Sequence, residues 1–344
     1  MTTAAPISNG THSRPGLLRR LWSSPWPAIG CEISAAGVSA ARWSWSTARL
    51  ETVAWKPLPA GVIEASPLRE NIREPEPVRE ALRAALASIG VSNGTAARHF
   101  QDAVLVIPDQ AARLFVFTLD TLPKRSSDAF SLVQFRLKKS VPFDIETAAV
   151  SYQAERRGNR WEVVAIASPQ AVVHQYERLL EALGLRPRCV VLSTLATLGL
   201  VPESQSGPRD FGSAPGGSPG ILVAKYSAPW FTTAILQANQ VRLFRTVGLP
   251  QGPDGLPAPE AVVEALYPSM VFFQDNFSDK LERAWLCGLG ASHQQVADLL
   301  ASELRVDPLA VADDASLGAV ASDPLHQELY FSALLGVVQE HSRA

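Results

Sequence analysis

The sequence predicts an α/β protein built as two similar halves, and three observations carry that expectation. Apolar runs at 28–33, 38–45 and 50–58 follow one another with only tight turns between them, and a helical pattern comes next. The same succession returns at 221–226, 231–236 and 241–247, again followed by a helical pattern. Between the two, residues 202–220 (PESQSGPRDFGSAPGGSPG) have the Gly, Pro and Ser content of a linker. Each half thus opens on a three-strand meander and proceeds to helices and further short strands. That is a coarse duplication rather than a short-period repeat.

Composition agrees with a globular chain. At 344 residues, 47% hydrophobic and 19% charged, it can bury a large core and has room for about two domains. The net charge is −2 and no long basic run occurs, so nucleic acid has no electrostatic footprint to meet. The longest apolar run, 189–201, falls short of the ~20 residues that span a bilayer and reads as a buried strand followed by a helix. Cys31, Cys189 and Cys287 lie far apart in apolar runs without metal-type spacing. Buried, reduced thiols of a cytoplasmic protein fit that pattern.

Taken in order, residues 1–27 read as a disordered, solvated tail. Within it Leu17, Leu18, Arg19, Arg20, Leu21 and Trp22 mix apolar and basic side chains, which leaves weak contact with an anionic membrane open. In the first meander Ala41, Trp43 and Trp45 alternate with Arg42 and Ser44, the period of a half-buried strand. A helix is expected over 77–89, with Val78, Ala81, Leu82, Ala85 and Leu86 on one face and Gly90 as its stop. Strands are expected from Ala103 and over 113–119.

A helix then starts at Ser126, Ser127 and Asp128, whose side-chain oxygens suit an N-terminus. Phe130, Val133, Leu137 and Val141 form its apolar stripe. Lys138 and Lys139 favour its last turn, and Pro142 ends it. Asp144 and Glu146 lead into a strand over 148–152, and another strand is expected over 161–167. The helix over 170–183 turns Val172, Val173, Tyr176, Leu179, Leu180 and Leu183 inward and stops at Gly184. His174 on that helix has no partner at ligand spacing and is assigned no chemistry. Beyond the second meander come a long helix (259–277), a strand (285–287), a Gly288-Leu289-Gly290 turn, a helix (292–304) and a modest helix around 328–338.

The stretch SSDAFSLVQFRLKKSVPFDIETAAVSY, a helix ending in Val-Pro-Phe, an acidic step and a strand ending near Tyr, resembles the type IV pilus assembly protein PilM family. The resemblance continues upstream in AVLVIP, 113–119 and Leu122-Pro123, and downstream in VVAIA and LGLRPRCVVL, so it runs in order over about 28–340. It implies a duplicated actin-like (ribonuclease H-like) fold: a first domain over 28–201, a small α+β subdomain inserted at about 102–160, and a second domain over 221–344.

It also implies a nucleotide site between the halves, with phosphates held by Asp-x-Gly steps at the turns of the two opening hairpins. The first step here is Glu32-Ile33-Ser34, with Gly37 following, so a carboxylate survives without the glycine. The second is Ala224-Lys225-Tyr226, with neither carboxylate nor glycine, and Pro229 removes a backbone donor from the turn. That cradle reads as abolished. The adenosine-side turn is matched by Gly288 and Gly290, a pair equally usual before any helix. No cofactor is expected; Glu32, Ser34, Gly37, Gly288 and Gly290 are the candidates if ATP and magnesium bind.

Elsewhere no G-x-S-x-G, P-loop, H-E-x-x-H or C-x-x-C pattern occurs, so no catalytic or metal residue is assigned. Asp313 and Asp314, like Asp144 and Glu146, read as solvated loop charge. The function the resemblance implies is a cytoplasmic adaptor of a pilus or related secretion assembly, reaching the inner membrane through its partners. In that family the groove between the first domain and its inserted subdomain takes the N-terminal cytoplasmic peptide of the membrane protein PilN. Phe130, Val133, Leu137, Pro142 and Phe143 are the candidate partner residues, with a place in the subdomain core as the other reading. The rival function is an ATP-binding switch or ATPase on the same fold.

Overall fold

In a computed structural model, which describes residues 26–91, 100–201, 219–238, 240–277, 281–310 and 324–343, the first half opens on β1 (Ile29–Ile33), β2 (Gly37–Ser44) and β3 (Arg49–Pro57). The meander is antiparallel, with Glu32 opposite Ser39. Helix α1 (Pro75–Ser88) starts with proline, whose missing N–H costs nothing at a helix start, and is closed by Gly90 at φ +74°. Its Val78, Leu82, Ala85 and Leu86 are buried against the sheet. Strand β4 (Gln101–Ile107) then returns parallel to β1.

Before the first sheet is finished, the chain departs into a separate module. It consists of β5 (Arg113–Leu119), α2 (Ser126–Leu137), β6 (Ala148–Arg157) and β7 (Arg160–Pro169), with strand order β5-β7-β6. Val133, Leu137 and Ile145 meet Val163, Ala165 and Ala167 in its own small core. Helix α3 (Gln170–Glu181) and β8 (Leu185–Leu192) re-enter the first sheet, giving the order β3-β2-β1-β4-β8. The sheet pairing moves both edges of the expected 102–160 insertion. Gln101–Ile107 belongs to the main sheet, and Arg160–Pro169 is the central strand of the module. A run as apolar as AVLVI suits either sheet, and only pairing decides between them.

After the short helix α4 (Ser193–Thr197), the second half repeats the plan. Strands β9 (Gly220–Ser227), β10 (Trp230–Gln237) and β11 (Gln240–Gly248) are followed by α5 (Pro259–Phe277), β12 (Leu281–Cys287), α6 (His293–Leu299) and β13 (Asp307–Ala310). The strand order is β11-β10-β9-β12-β13, position for position that of the first sheet. The expected helix over 292–304 divides into a 3-10 turn, Gly290–Ser292, then α6 and a π-helical stretch, Leu300–Leu304.

The last helix differs most from expectation. It is not a modest segment around 328–338 but α7 (Pro324–Arg343), and it leaves the second half to pack on the first. Phe331, Leu334, Leu335 and Val338 join Trp43, Leu50, Val104 and Val106 in one buried cluster. Tyr330 stacks on Trp55 with ring centroids 4.0 Å apart. The second half as drawn from the sequence, 221–344, therefore ends earlier as a packing unit. The expected N-terminal tail, apart from its last two residues, most of the linker, and Asp313-Asp314 lie outside the described residues.

Candidate functional site

Residues at the ends of β1, β4 and β8 in the first sheet meet Lys225 of β9 in the second. In both sheets the chain reverses direction of travel between the first and fourth strands, the switch point outside whose strand ends open α/β sheets take ligands. In this protein the crevice is filled by side chains. Glu32 near the end of β1 faces Lys225 near the end of β9, with Nζ donating to Glu32 Oε1 at 3.1 Å and to Ser193 Oγ at 2.6 Å. Ser193 Oγ donates to Glu32 Oε1 at 2.5 Å, so the three groups close a triangle. Their side chains are buried, with Lys225 at 4% and Glu32 at 8% exposure.

A second carboxylate lies alongside. Asp109, in the 3-10 turn after β4, accepts from Thr194 N at 2.9 Å and Thr194 Oγ1 at 2.6 Å. The charge of Lys225 and the hydroxyl of Thr232 on β10 also act on it. Burial pushes the Asp109 carboxyl above the usual carboxylate range, and these contacts pull it part of the way back. Burial also pushes the Cys31 thiol up to about 12, which leaves that cysteine an inert apolar filler of the first core.

The residues suggested for a nucleotide are placed as follows. Glu32 is consumed by the ion pair. Ser34 Oγ donates to Gly37 O at 2.9 Å and accepts from Gly37 N at 3.2 Å, closing the β1–β2 turn on itself. A Cβ on Gly37 would come within 2.5 Å of Lys56 O, so this glycine serves the approach of β3. Gly288, at φ +76°, follows Cys287, which pairs with Lys225, and a Cβ there would meet Tyr226 O at 2.1 Å. Gly290, at φ +50°, starts the next 3-10 turn. Backbone packing explains Gly288, and the left-handed backbone conformation explains Gly290.

The five partner candidates do not form one surface. Val133 and Leu137 are buried in the module core, Phe143 is half-buried against it, Phe130 is half-buried on α2, and Pro142 is exposed. Of them only Leu137 borders a groove of about 400 Å³ between β5 and the C-terminal half of α2. Phe115, Val116, Phe117, Phe135, Arg136, Lys139 and Ser140 complete its lining. Phe135 is 72% exposed, against the habit of large aromatics. The expected oxygen cap on α2 is not made: its N-cap is Arg125, and Ser127 Oγ donates instead to Asp128 Oδ1 at 3.1 Å.

Sequence reasoning missed Lys225 as a functional residue, together with Asp109, Ser193 and Thr194. The signal was a single cation in the otherwise apolar strand ILVAKY, which no buried strand carries without a carboxylate partner. Phe135 was missed because it lies off the apolar stripe of its helix.

Among solved structures, the chain is similar to a chain of the PilM-PilN type IV pilus biogenesis complex. Identity is 19% over 90% of this chain and 97% of that one, with a TM-score of 0.69. The fold is the duplicated actin-like one. A Bacteroides thetaiotaomicron protein with an actin-like ATPase fold is similar at 11% identity, covering 89% of this chain and 94% of its own, with a TM-score of 0.44. The cytoplasmic domain of EpsL, an inner-membrane component of the Vibrio cholerae type II secretion system, is similar at 12% identity with the same TM-score, covering 92% and 94%. No protein-family model and no curated protein matches the chain.

Actin-like lobes commonly work with a nucleotide between them, and the residues present here do not fit one. The carboxylate that would serve a magnesium ion is already neutralised by Lys225, and the second lobe offers that cation where an anion's partner ion would sit. Among the described residues no group of three or more His, Cys, Asp or Glu could hold a metal, and no helix is long and apolar enough to cross a membrane.

Proposed function

We propose that this actin-like protein is a non-catalytic cytoplasmic adaptor of a type IV pilus or related secretion assembly, and that it binds the N-terminal peptide of a PilN-like membrane protein. The single observation that carries the reading is the groove beside β5. That strand is an edge of its sheet, and the groove has an apolar floor of Phe115, Phe117 and Leu137 with Phe135 as an exposed wall. An extended peptide can pair its backbone with such an edge and set alternate side chains into the apolar floor. Arg136 and Lys139 at the rim favour a segment with acidic residues among its apolar ones. The likeness to the PilM-PilN complex supports the choice of partner.

The test is fluorescence anisotropy with a labelled synthetic peptide, the cytoplasmic N-terminus of the inner-membrane pilus protein encoded beside this chain. Saturable binding that Phe135→Asp weakens at least about tenfold is expected. Binding that ignores Phe135→Asp, or no binding at all, would overturn the assignment of the groove. Turnover of Mg-ATP by the purified protein would restore the rival reading of a switch.

A further inference from the structure

We propose that Lys225 is a built-in cation that occupies the ligand crevice between the lobes and holds them closed without any small molecule. The place is the one where an open α/β sheet takes its ligand, and here two such places face each other. The oxygens gathered there are those a hard cation would accept: the carboxylates of Glu32 and Asp109 and the hydroxyls of Ser193, Thr194 and Thr232. Every one of these residues is at least nine-tenths buried. Into this set the second lobe inserts one ammonium, from the strand that opens it.

The contacts run across the crevice rather than within one lobe. Glu32, Asp109 and Ser193 belong to the first half, while Lys225 and Thr232 belong to the second, where they face each other across β9 and β10. A second set of cross-lobe contacts lies at the inserted module. Gln240 of β11 donates to Glu155, and Arg242 Nη1 stands 2.8 Å from Glu162 Oε2, outside good hydrogen-bond angles. Glu155 and Glu162 are opposite one another on β6 and β7, and Glu162 is met both by Arg157 of its own module at 3.6 Å and by Arg242 of the other lobe. Both sets place a basic or amide group of the second lobe on carboxylates of the first.

A magnesium-bridged phosphate entering this crevice would have to displace Lys225 and strand its charge. The closed arrangement of the lobes is therefore constitutive, and the docking body does not wait for a nucleotide. This conclusion stands apart from peptide binding, and either can fail alone.

The experiment is hydrogen exchange on the full chain, read at the Thr194 amide, which donates to Asp109, and at the amides of β1 and β9. In the wild type, millimolar Mg2+ or Mg-ATP should leave these rates unchanged; slowing by either ligand overturns the proposal. In Lys225→Ala the same amides should exchange about tenfold faster or more. Added Mn2+ should slow them again by binding the freed carboxylates. Exchange in Lys225→Ala as slow as in the wild type also overturns it. Where Lys225→Ala does not fold, the charge-free pair Glu32→Gln/Lys225→Met takes its place. With the buried charge gone but the cross-crevice ion pair also lost, the same amides should still exchange faster than in the wild type, and wild-type rates in that pair overturn the proposal.

Discussion

The first strands of the two lobes hold the same place in the same strand order, yet one carries Glu32 near its end and the other Lys225. The first hairpin turns through Ser34 and Gly37, the second through Ala228 and Pro229. Duplication preserved the sheets and let the residues at their tips diverge into opposite charges. A crevice built by topology need not hold a ligand. Two copies of one strand end, once oppositely charged, can satisfy each other.

Breaking that complementarity should have the largest effect. Lys225→Met leaves Glu32 buried without its cation, and urea unfolding should show a loss of about 3–5 kcal/mol. Removing both charges, as Glu32→Gln/Lys225→Met, should restore stability to near the wild-type level. A double variant as unstable as the single one would show that Lys225 matters for its packing and not its charge.

Only the first lobe carries an inserted module, and there the contrast between Leu137 and Phe135 can be sharpened. Leu137→Ala opens a cavity in a small core and should cost about 2–5 kcal/mol. Phe135→Ala, on the exposed side of the same helix, should change stability by no more than about 0.5 kcal/mol while weakening peptide binding.

The first lobe is also the one that receives the last helix. A Cβ on Gly336 would fall 1.9 Å from Ala196 O, and one on Gly199 would fall 2.2 Å from Gly336 O, so α4 and the 3-10 turn after it touch α7 backbone to backbone. Gly336→Ala should therefore lower stability by about 1–3 kcal/mol, and near-neutral unfolding would show that α7 is free to shift.

The smallest test concerns Asp109. Its carboxyl titrates higher in the folded chain than the ordinary value of 3.8, so the stability it lends is full below that value. It is then lost as pH rises through the folded pKa. Relative to Asp109→Asn, the unfolding free energy of the wild type should fall as pH rises from 4 to neutrality. A pH-independent difference would remove Asp109 from the titrating network.

Much of this fold was legible along the chain. The six meander strands and the long helix Pro259–Phe277 stand where their apolar periods put them, because local alternation and turn chemistry suffice to define such elements. The site was legible only in part. Glu32 and the loss of carboxylate and glycine at 224–226 could be seen, whereas Glu32 lies 193 positions and Ser193 32 positions from Lys225. No local pattern reports a contact across that separation. The cap of α2 failed for a related reason: three candidate oxygens stood at a helix start, and which of them bonds depends on the entering chain.

Local patterns along the chain were enough for the duplication and for most of its strands and helices, since burial of alternating and helical apolar faces is decided within a few residues. Tertiary structure alone decided the strand pairing that moves Gln101–Ile107 out of the module, the return of α7 to the first lobe, and the meeting of Glu32 with Lys225. Those depend on which surfaces face one another after folding. A charge acquires its meaning only from the neighbour that packing brings to it.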